Sequence, residues 1–324
     1  MARRWITLSP RKTVLLTDPI APEGEAALAR AAHVIRAPDS SADTIRRLAR
    51  EADGVITRSK LPDDIFDAAP NVRAVVVHGT GTDLVPLAAA AERGVVIANL
   101  PGSNAQSVAE YCVMAMLMLA RNIVSVVETL KGGAWDGARA LGAGTHEIAA
   151  MTLGIVGVGE IGKRLAMICR QGFGMRVLGH QRRLDRLPAE SEGTDLRSLL
   201  QGSDFVVVTC PLTSQTRHLF NRDTLALMKP SAWLINVGRG AVVQEQALVA
   251  ALRESRIAGA MLDVYEHYRL EPGHELLGLQ NVILTPHFAG MTRESRARMG
   301  VAAAEEMLRM LAGETPRNLV HADR

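Results

Sequence analysis

Thr152-Leu153-Gly154-Ile155-Val156-Gly157-Val158-Gly159-Glu160-Ile161-Gly162-Lys163-Arg164-Leu165-Ala166 is the stretch on which the reading of the fold turns. An apolar run, Leu153 to Val156, reads as a strand and leads straight into Gly157, Gly159 and Gly162 at G-x-G-x-x-G spacing. The residues after Gly162 read as a helix. Gly157 allows the tight turn out of the strand, Gly159 lets backbone approach a pyrophosphate, and Gly162 lets helix pack close on sheet. The helix N-terminus then aims free N–H groups and its dipole at phosphate. Alone the motif is weak, but a strand before it and a helix after it are the context it needs. The stretch predicts a dinucleotide site.

Working outward, the chain alternates short β-branched runs with helical ones, the pattern of parallel βαβ units. Ahead of the glycine loop, strands are predicted at Val14–Thr17, His33–Arg36, Gly54–Thr57, Ala74–Val77 and Val95–Ala98, a five-stranded doubly wound unit ending near Pro101. Two loops follow strand ends, where open α/β sheets bind ligands. They are Thr57-Arg58-Ser59-Lys60 and His78-Gly79-Thr80-Gly81-Thr82-Asp83, the second a candidate backbone nest for a carboxylate or else a plain turn. Asn104 to Leu130 reads as one long helix whose methionines serve packing, and Lys131–Gly144 as an extended connector. After the glycine loop the strands Arg176–Gln181, Asp204–Cys210, Ala232–Asn236, Gly259–Val264 and Asn281–Thr285 complete a six-stranded dinucleotide-binding sheet, and helix Arg293–Ala312 closes the chain.

Composition narrows the function classes. The 324 residues suffice for two domains, and 48% hydrophobic with 22% charged residues is ordinary for a globular protein. A net charge of +3, with both signs mixed throughout, gives no stripe for nucleic acid. The basic start, Arg3, Arg4, Arg11 and Lys12, is broken by Trp5, Ile6 and Pro10 and reads as a solvated tail, not a targeting signal. The apolar run Tyr111–Ala120 ends at Arg121, too short for a bilayer core of about 30 Å, so no membrane partner is expected. Cys112, Cys169 and Cys210 are odd in number, widely spaced and in apolar settings. They are read as buried free thiols of a reducing, cytoplasmic compartment, with no metal site.

Two residues carry candidate chemistry because each directly follows a strand end. Arg239, between two glycines, is suited to a bidentate grip on a carboxylate or to polarising a carbonyl. His287, after Leu284-Thr285-Pro286, is a natural proton donor and acceptor near neutral pH. The plain alternatives are a surface arginine in a turn and a hydrogen-bonded structural histidine.

With these motifs in one order, the chain resembles the D-isomer-specific 2-hydroxyacid dehydrogenase family. The likeness is carried by Gly94–Gly102, Ser107–Glu110, Gly154–Gly162, Cys210-Pro211-Leu212-Thr213, Ile235–Gly240, Leu262-Asp263-Val264-Tyr265 and Leu284–His287. It implies two doubly wound α/β domains, a Rossmann nucleotide-binding domain inserted into a split flavodoxin-like substrate domain. The implied bounds are residues 1–101 and 292–324 for the substrate domain, and residues 102–291 for the NAD(P) domain. It also implies a cleft between them, a homodimer, and a small 2-oxo or 2-hydroxy acid as substrate. Ser59, Gly79, Thr80 and Gly81 would bind substrate. The cofactor would meet Gly157, Gly159, Glu160, Ile161, Gly162, Gln181, Arg182, Arg183, Cys210, Pro211, Thr216, Val237, Gly238, Asp263 and Gly290, with Asp263 on the nicotinamide amide. Arg239 would hold the substrate carboxylate and polarise its carbonyl while His287 protonates the forming alkoxide.

The sequence departs from the family at two places. Gln181 stands where an NAD-specific member carries an Asp for the ribose hydroxyls, and Arg182 and Arg183 follow, which points to NADP over NAD. The family's catalytic Glu, five residues after the Asp of Leu-Asp-Val, is here Tyr268. Glu271, before Pro272, resembles the family's Glu-Pro pair displaced by three residues, and Glu266 lies closer; the residues leave open which, if any, reaches His287. Two other readings remain: a dimeric nicotinamide-binding regulator, for which Arg239 and His287 would be superfluous, and hydride transfer from a small oxyanion such as phosphite or formate.

Overall fold

The computed structural model describes residues 11–321; Arg3, Arg4, Trp5, Ile6 and Pro10 lie outside the described residues. The described part divides into two compact units, one made of the residues up to Asn104 with those from Met291 onward, the other of Ala105–Gly290.

The first unit is built on a parallel sheet of β1 (Thr13–Leu16), β2 (His33–Arg36), β3 (Gly54–Thr57), β4 (Ala74–Val77) and β5 (Val96–Ala98), in the order β2-β1-β3-β4-β5. β3 and β4 are buried along their whole length, as central parallel strands covered on both faces require. Helix Arg293–Leu311 packs against helix Pro22–Ala31 and over β4 and β3. Two glycines make this close: Gly24 and Gly300 meet backbone to backbone, and Met307 fills the place where a side chain on Gly54 would stand.

The second unit holds β6 (Thr152–Val156), β7 (Arg176–His180), β8 (Glu192–Gly193), β9 (Phe205–Val208), β10 (Trp233–Asn236), β11 (Gly259–Leu262) and β12 (Val282–Leu284). They form one parallel sheet in the order β12-β11-β10-β9-β6-β7-β8. The order reverses between β6 and β9, the switch point at which doubly wound sheets bind dinucleotides. Apolar side chains on the two faces make separate cores, one around Phe205, Ile155 and Met116, the other around Phe220, Leu199 and Leu234.

Three expectations need correction. The strand count of this sheet is seven, because the two-residue β8 adds to β7. The long helix expected over Asn104–Leu130 is two, Ala105–Ala120 and Ile123–Lys131, bent by 59°. The break falls at Asn122, at φ 45°, a left-handed conformation that asparagine tolerates better than most residues. The connector expected over Lys131–Gly144 contains helix Trp135–Ala140 followed by a 3₁₀ turn, Leu141–Gly144. Among the described residues no single helix is long and apolar enough to cross a membrane.

Candidate active site

Six candidate residues of the second unit stand at or just beyond strand C-terminal ends, because parallel strands all point their carboxyl ends to one edge. Gly157 follows β6, Gln181 follows β7, Cys210 lies beyond β9, Arg239 beyond β10, Asp263 directly after β11 and His287 beyond β12.

The glycine loop has the local geometry that its spacing calls for. Gly157 sits at φ 94°, and a Cβ there would come within 2.6 Å of the Cys210 backbone. A Cβ on Gly162 would lie 2.9 Å from the Gly157 carbonyl oxygen, so the helix can approach the strand only with glycine there. Around Gly159, by contrast, a Cβ would meet nothing within 4 Å. Gly159 is the N-cap of the 14-residue helix Glu160–Phe173, and no side chain caps it. With no side-chain cap, the first N–H groups of that helix are left for a ligand, as an anion site at a helix N-terminus requires. A dinucleotide pyrophosphate fits this cradle. Glu160 pairs with Lys163 at 3.2 Å on the exposed side of the first turn, while Ile161 packs on the core beneath. Thr209, which the sequence reading passed over, donates to the Gly157 carbonyl at 2.5 Å and fixes the turn.

At the end of β7, Gln181 donates through Nε2 to the Arg183 carbonyl at 2.8 Å. Arg183 forms a two-pronged pair with Asp185, 3.0 and 2.9 Å, while Arg182 is exposed with no such pair among the described residues. Beyond β9, Thr216 accepts from the Thr213 N–H and donates to the Pro211 carbonyl, both at 2.7 Å, closing that loop on itself. Val237 is buried, and a Cβ on Gly238 would lie 2.8 Å from the Cys210 carbonyl oxygen, so three strand ends meet tightly here. Burial pushes the Cys210 thiol up to about 11; Cys112 and Cys169 are likewise buried and free, so all three are chemically quiet.

Arg239 is half-buried and its backbone is held from two sides. Its carbonyl accepts from Asn236 Nδ2 at 3.1 Å, and Gly240 after it packs directly on the Tyr265 carbonyl, where no side chain could fit. Its Nη1 donates to the Gly238 carbonyl at 2.8 Å.

His287 is exposed and sits at φ 54°, a conformation that costs a residue with a Cβ roughly 1–2 kcal/mol. Asp263 holds it there. This carboxylate, 1% exposed, accepts from the Thr285 hydroxyl at 2.6 Å and from the backbone N–H groups of Phe288 and Ala289 at 2.7 and 2.9 Å. The His287 N–H donates to the Asp263 carbonyl at 2.9 Å. Thr285 is fixed further: its hydroxyl meets the Tyr111 hydroxyl at 2.6 Å and its carbonyl accepts from the Tyr265 hydroxyl at 2.7 Å. Asp263 is thus the keystone of the histidine loop, which ends at Gly290. Thr285, Tyr111 and Tyr265 carry no motif that would have singled them out.

The residues considered as partners of His287 fall in different places. Tyr268 stands edge-on to it, ring centroids 6.2 Å apart at 71°. Glu271 is exposed, and its backbone carbonyl accepts from the His274 N–H at 3.0 Å. Glu266 is drawn to His218 instead, 2.6 Å from its Nε2, and also accepts from the Glu245 N–H at 3.0 Å. Burial would raise its pKa, but these two hydrogen bonds outweigh it and hold the carboxyl below its ordinary value.

In the first unit, the Ser59 hydroxyl donates to Asp18 at 2.9 Å. The Gly79 N–H is spent on the Val77 carbonyl at 2.7 Å, and Asn99 Nδ2 donates to the Thr80 carbonyl at 2.6 Å. The donors that this loop can offer a ligand are therefore those of Thr80 and Gly81. Among the described residues no cluster of acidic, histidine or cysteine side chains could hold a metal.

The family model for the D-isomer specific 2-hydroxyacid dehydrogenase NAD binding domain matches residues 113–289. A glyoxylate reductase of Aeropyrum pernix is 39% identical over 293 residues, 87% of this chain and 86% of that one. The chain belongs to the D-isomer specific 2-hydroxyacid dehydrogenase family. A glyoxylate/hydroxypyruvate reductase B of Yersinia pestis is 36% identical, covering 88% of each chain. The crystal structure of an NADPH-dependent glyoxylate/hydroxypyruvate reductase of Sinorhizobium meliloti, in complex with NADP and malonate, superposes with a TM-score of 0.84 at 29% identity, over 96% of this chain and 97% of that one. As a 2-hydroxyacid dehydrogenase the chain is an oxidoreductase that uses a nicotinamide dinucleotide, for which the Gly157–Gly162 cradle is the matching feature.

Proposed function

We propose that this dehydrogenase reduces a small 2-oxo acid to the D-2-hydroxy acid, with NADPH preferred over NADH. The observation that carries the reading is the histidine loop: a buried carboxylate with three donors holds His287 in a conformation it would not otherwise keep, beyond a strand of the sheet whose edge bears the glycine loop. Strain held by so many bonds marks a residue whose position matters.

When bound, the nicotinamide supplies a hydride to the substrate's carbonyl carbon. Arg239 grips the substrate carboxylate through its guanidinium and polarises the carbonyl oxygen. His287 gives that oxygen its proton as the alkoxide forms, and takes one back in the reverse direction. The Thr80 and Gly81 N–H groups assist in holding a carboxylate, and Asp263 keeps His287 in place. Tyr268, a neutral phenol, orients the imidazole ring without adding charge; Glu271, before Pro272, remains the carboxylate whose setting resembles the family's Glu-Pro pair. Arg182 supports NADPH, since it offers a cation to a 2′-phosphate where an acidic residue would repel one.

We also propose a homodimer. Met114, Leu117, Ile123, Val124, Val127 and Leu130, each 37–44% exposed, lie on two successive helices and give an apolar surface that a second copy would cover. Sedimentation velocity would report a dimer.

The test of the function is a turnover screen with NADPH and NADH against glyoxylate, hydroxypyruvate, pyruvate and phenylpyruvate, with the product's handedness determined. Reduction to the D-hydroxy acid is expected. Turnover of phosphite or formate alone would point to a different hydride donor, and no turnover with intact dinucleotide binding would point to a regulator.

A further inference from the structure

The irregular segment between β11 and the 3₁₀ turn Glu275–Gly278 carries Tyr268, and both its ends are tied to one side chain. Near the first end, the Glu266 N–H donates to Glu245 Oε2 at 3.3 Å, and the Glu245 N–H donates back to Glu266 Oε2 at 3.0 Å. At the other end, His274 Nδ1 accepts from the Leu276 N–H at 3.2 Å. The ring proton is therefore on Nε2, which donates to Glu245 Oε1 at 2.9 Å. Both carboxylate oxygens of Glu245 are thus used on one loop, 21 and 29 positions further along the chain.

This clasp is sheltered and firmly backed. The side chains of Glu245 and Glu266 are 14% and 20% exposed, so their hydrogen bonds are shielded from competing water. His218 Nε2 lies 2.6 Å from the other oxygen of Glu266, and the His218 N–H is itself fixed on the Ala241 carbonyl at 2.8 Å. One residue ahead, the Tyr265 carbonyl abuts Gly240, and Glu245 opens helix Glu245–Arg253. Between the two ends, Leu270 packs on the core around Phe220, while residues 267–269 and 271–273 are exposed. Tyr268 is 71% exposed, yet its ring stands edge-on to His287 at 6.2 Å. An exposed ring on irregular backbone keeps such a place only when the backbone beneath it is held.

We propose that Glu245 is a positioning residue for the reaction: by fastening both ends of loop 266–274 it keeps the Tyr268 ring against His287. The inference rests on the reading of His287 as the proton donor and of Tyr268 as the ring that orients it. Glu245 acts through the loop and not on the substrate. Without it the loop shifts, and the imidazole turns away from the geometry in which the proton is passed. A misplacement of about 1 Å costs up to roughly 10²-fold in rate. The loss belongs to the transition state and not to binding, so kcat falls while the KM for the oxo acid holds.

The experiment follows two quantities in the full chain: the rate at which trypsin cuts after the exposed Arg269, read by mass spectrometry, and kcat per NADPH-binding site. Cleavage should quicken by about tenfold in Glu245→Ala, the effect of one lost charge-assisted hydrogen bond on the loop's opening equilibrium. It should quicken less in Glu245→Gln, which keeps one accepting oxygen. In Glu245→Ala kcat should fall by about tenfold or more, with the KM for the oxo acid and the NADPH dissociation constant within a factor of about three. His274→Ala frees only the far end; it should move both readouts the same way, and it decides the matter if Glu245→Ala does not fold. Because Glu245 acts through Tyr268, adding Glu245→Ala to Tyr268→Ala should lower kcat by no more than about twofold further. Unchanged cleavage, unchanged kcat, or losses that multiply in the double variant would overturn the proposal. Should the wild type reduce no 2-oxo acid, it is the functional reading that fails, and trypsin alone decides the clasp: faster cleavage in Glu245→Ala sustains it and an unchanged rate overturns it.

Discussion

Replacing Asp263 by Ala removes the acceptor of three hydrogen bonds from a site that is 1% exposed. The Thr285 hydroxyl keeps a partner in Tyr111, at 2.6 Å, but the Phe288 and Ala289 N–H groups are left with none in the observed loop conformation. Hydrogen bonds to a charged group contribute about 1.5–3 kcal/mol each, so losing two costs roughly 3–6 kcal/mol. Relief from burying the carboxylate offsets part of this, leaving a net loss of about 2–5 kcal/mol. The loop is then free to release His287 from φ 54°, so turnover falls as well. Urea unfolding followed by circular dichroism, without dinucleotide, measures the stability term; NADPH oxidation measures the catalytic one. A residue that only touched the cofactor would leave stability without dinucleotide unchanged. A loss below about 1 kcal/mol would therefore refute the keystone role.

His78 makes stability depend on pH. Its folded pKa of about 4 lies below that of an unfolded histidine, so the unfolded chain takes up the proton first and stability falls as pH drops from about 6.5 to 4. The loss is about 3 kcal/mol at the acid end; urea midpoints at pH 7 and 4.5 should converge in His78→Asn, and parallel behaviour of both proteins would contradict it. NADPH should be preferred to NADH by about tenfold, with Arg182→Ala more damaging to that preference than Arg183→Ala, whose guanidinium is already paired with Asp185; a comparable preference for NADH in kcat/KM would reject the assignment. Glu271→Gln should leave the pH profile of reduction in place, because the ring beside His287 is that of Tyr268. A basic limb moved down by about one unit in that variant would instead name Glu271 as the histidine's partner.

What the sequence revealed, and what it hid, divides along the range of the interactions. The roles of Gly157 and Gly162 are local: each glycine answers a clash within its own strand, turn and helix or with an adjacent strand end. Arg239 and His287 were legible because each follows a recognisable strand. The function of Asp263 in the histidine loop was not, since its acceptors serve donors 22 to 26 positions later. Glu266 likewise finds His218 across 48 positions, a pairing no spacing announces. The bend at Asn122 depends on one residue's left-handed φ, invisible to periodicity because apolar residues continue on both sides. The short helix Trp135–Ala140 was masked by Gly132, Gly133 and Gly137, which read as a connector.

The most direct test of the account is to measure dinucleotide binding and turnover together in Arg239→Ala and His287→Ala. Both side chains are assigned to substrate and proton transfer, not to the pyrophosphate cradle. With either side chain removed, kcat/KM for 2-oxo acid reduction should fall by about 10²–10⁴-fold. The NADPH dissociation constant, from quenching of protein fluorescence, should stay within a factor of about three. Near-wild-type turnover in either variant, or loss of NADPH binding with the circular dichroism spectrum unchanged, would contradict it.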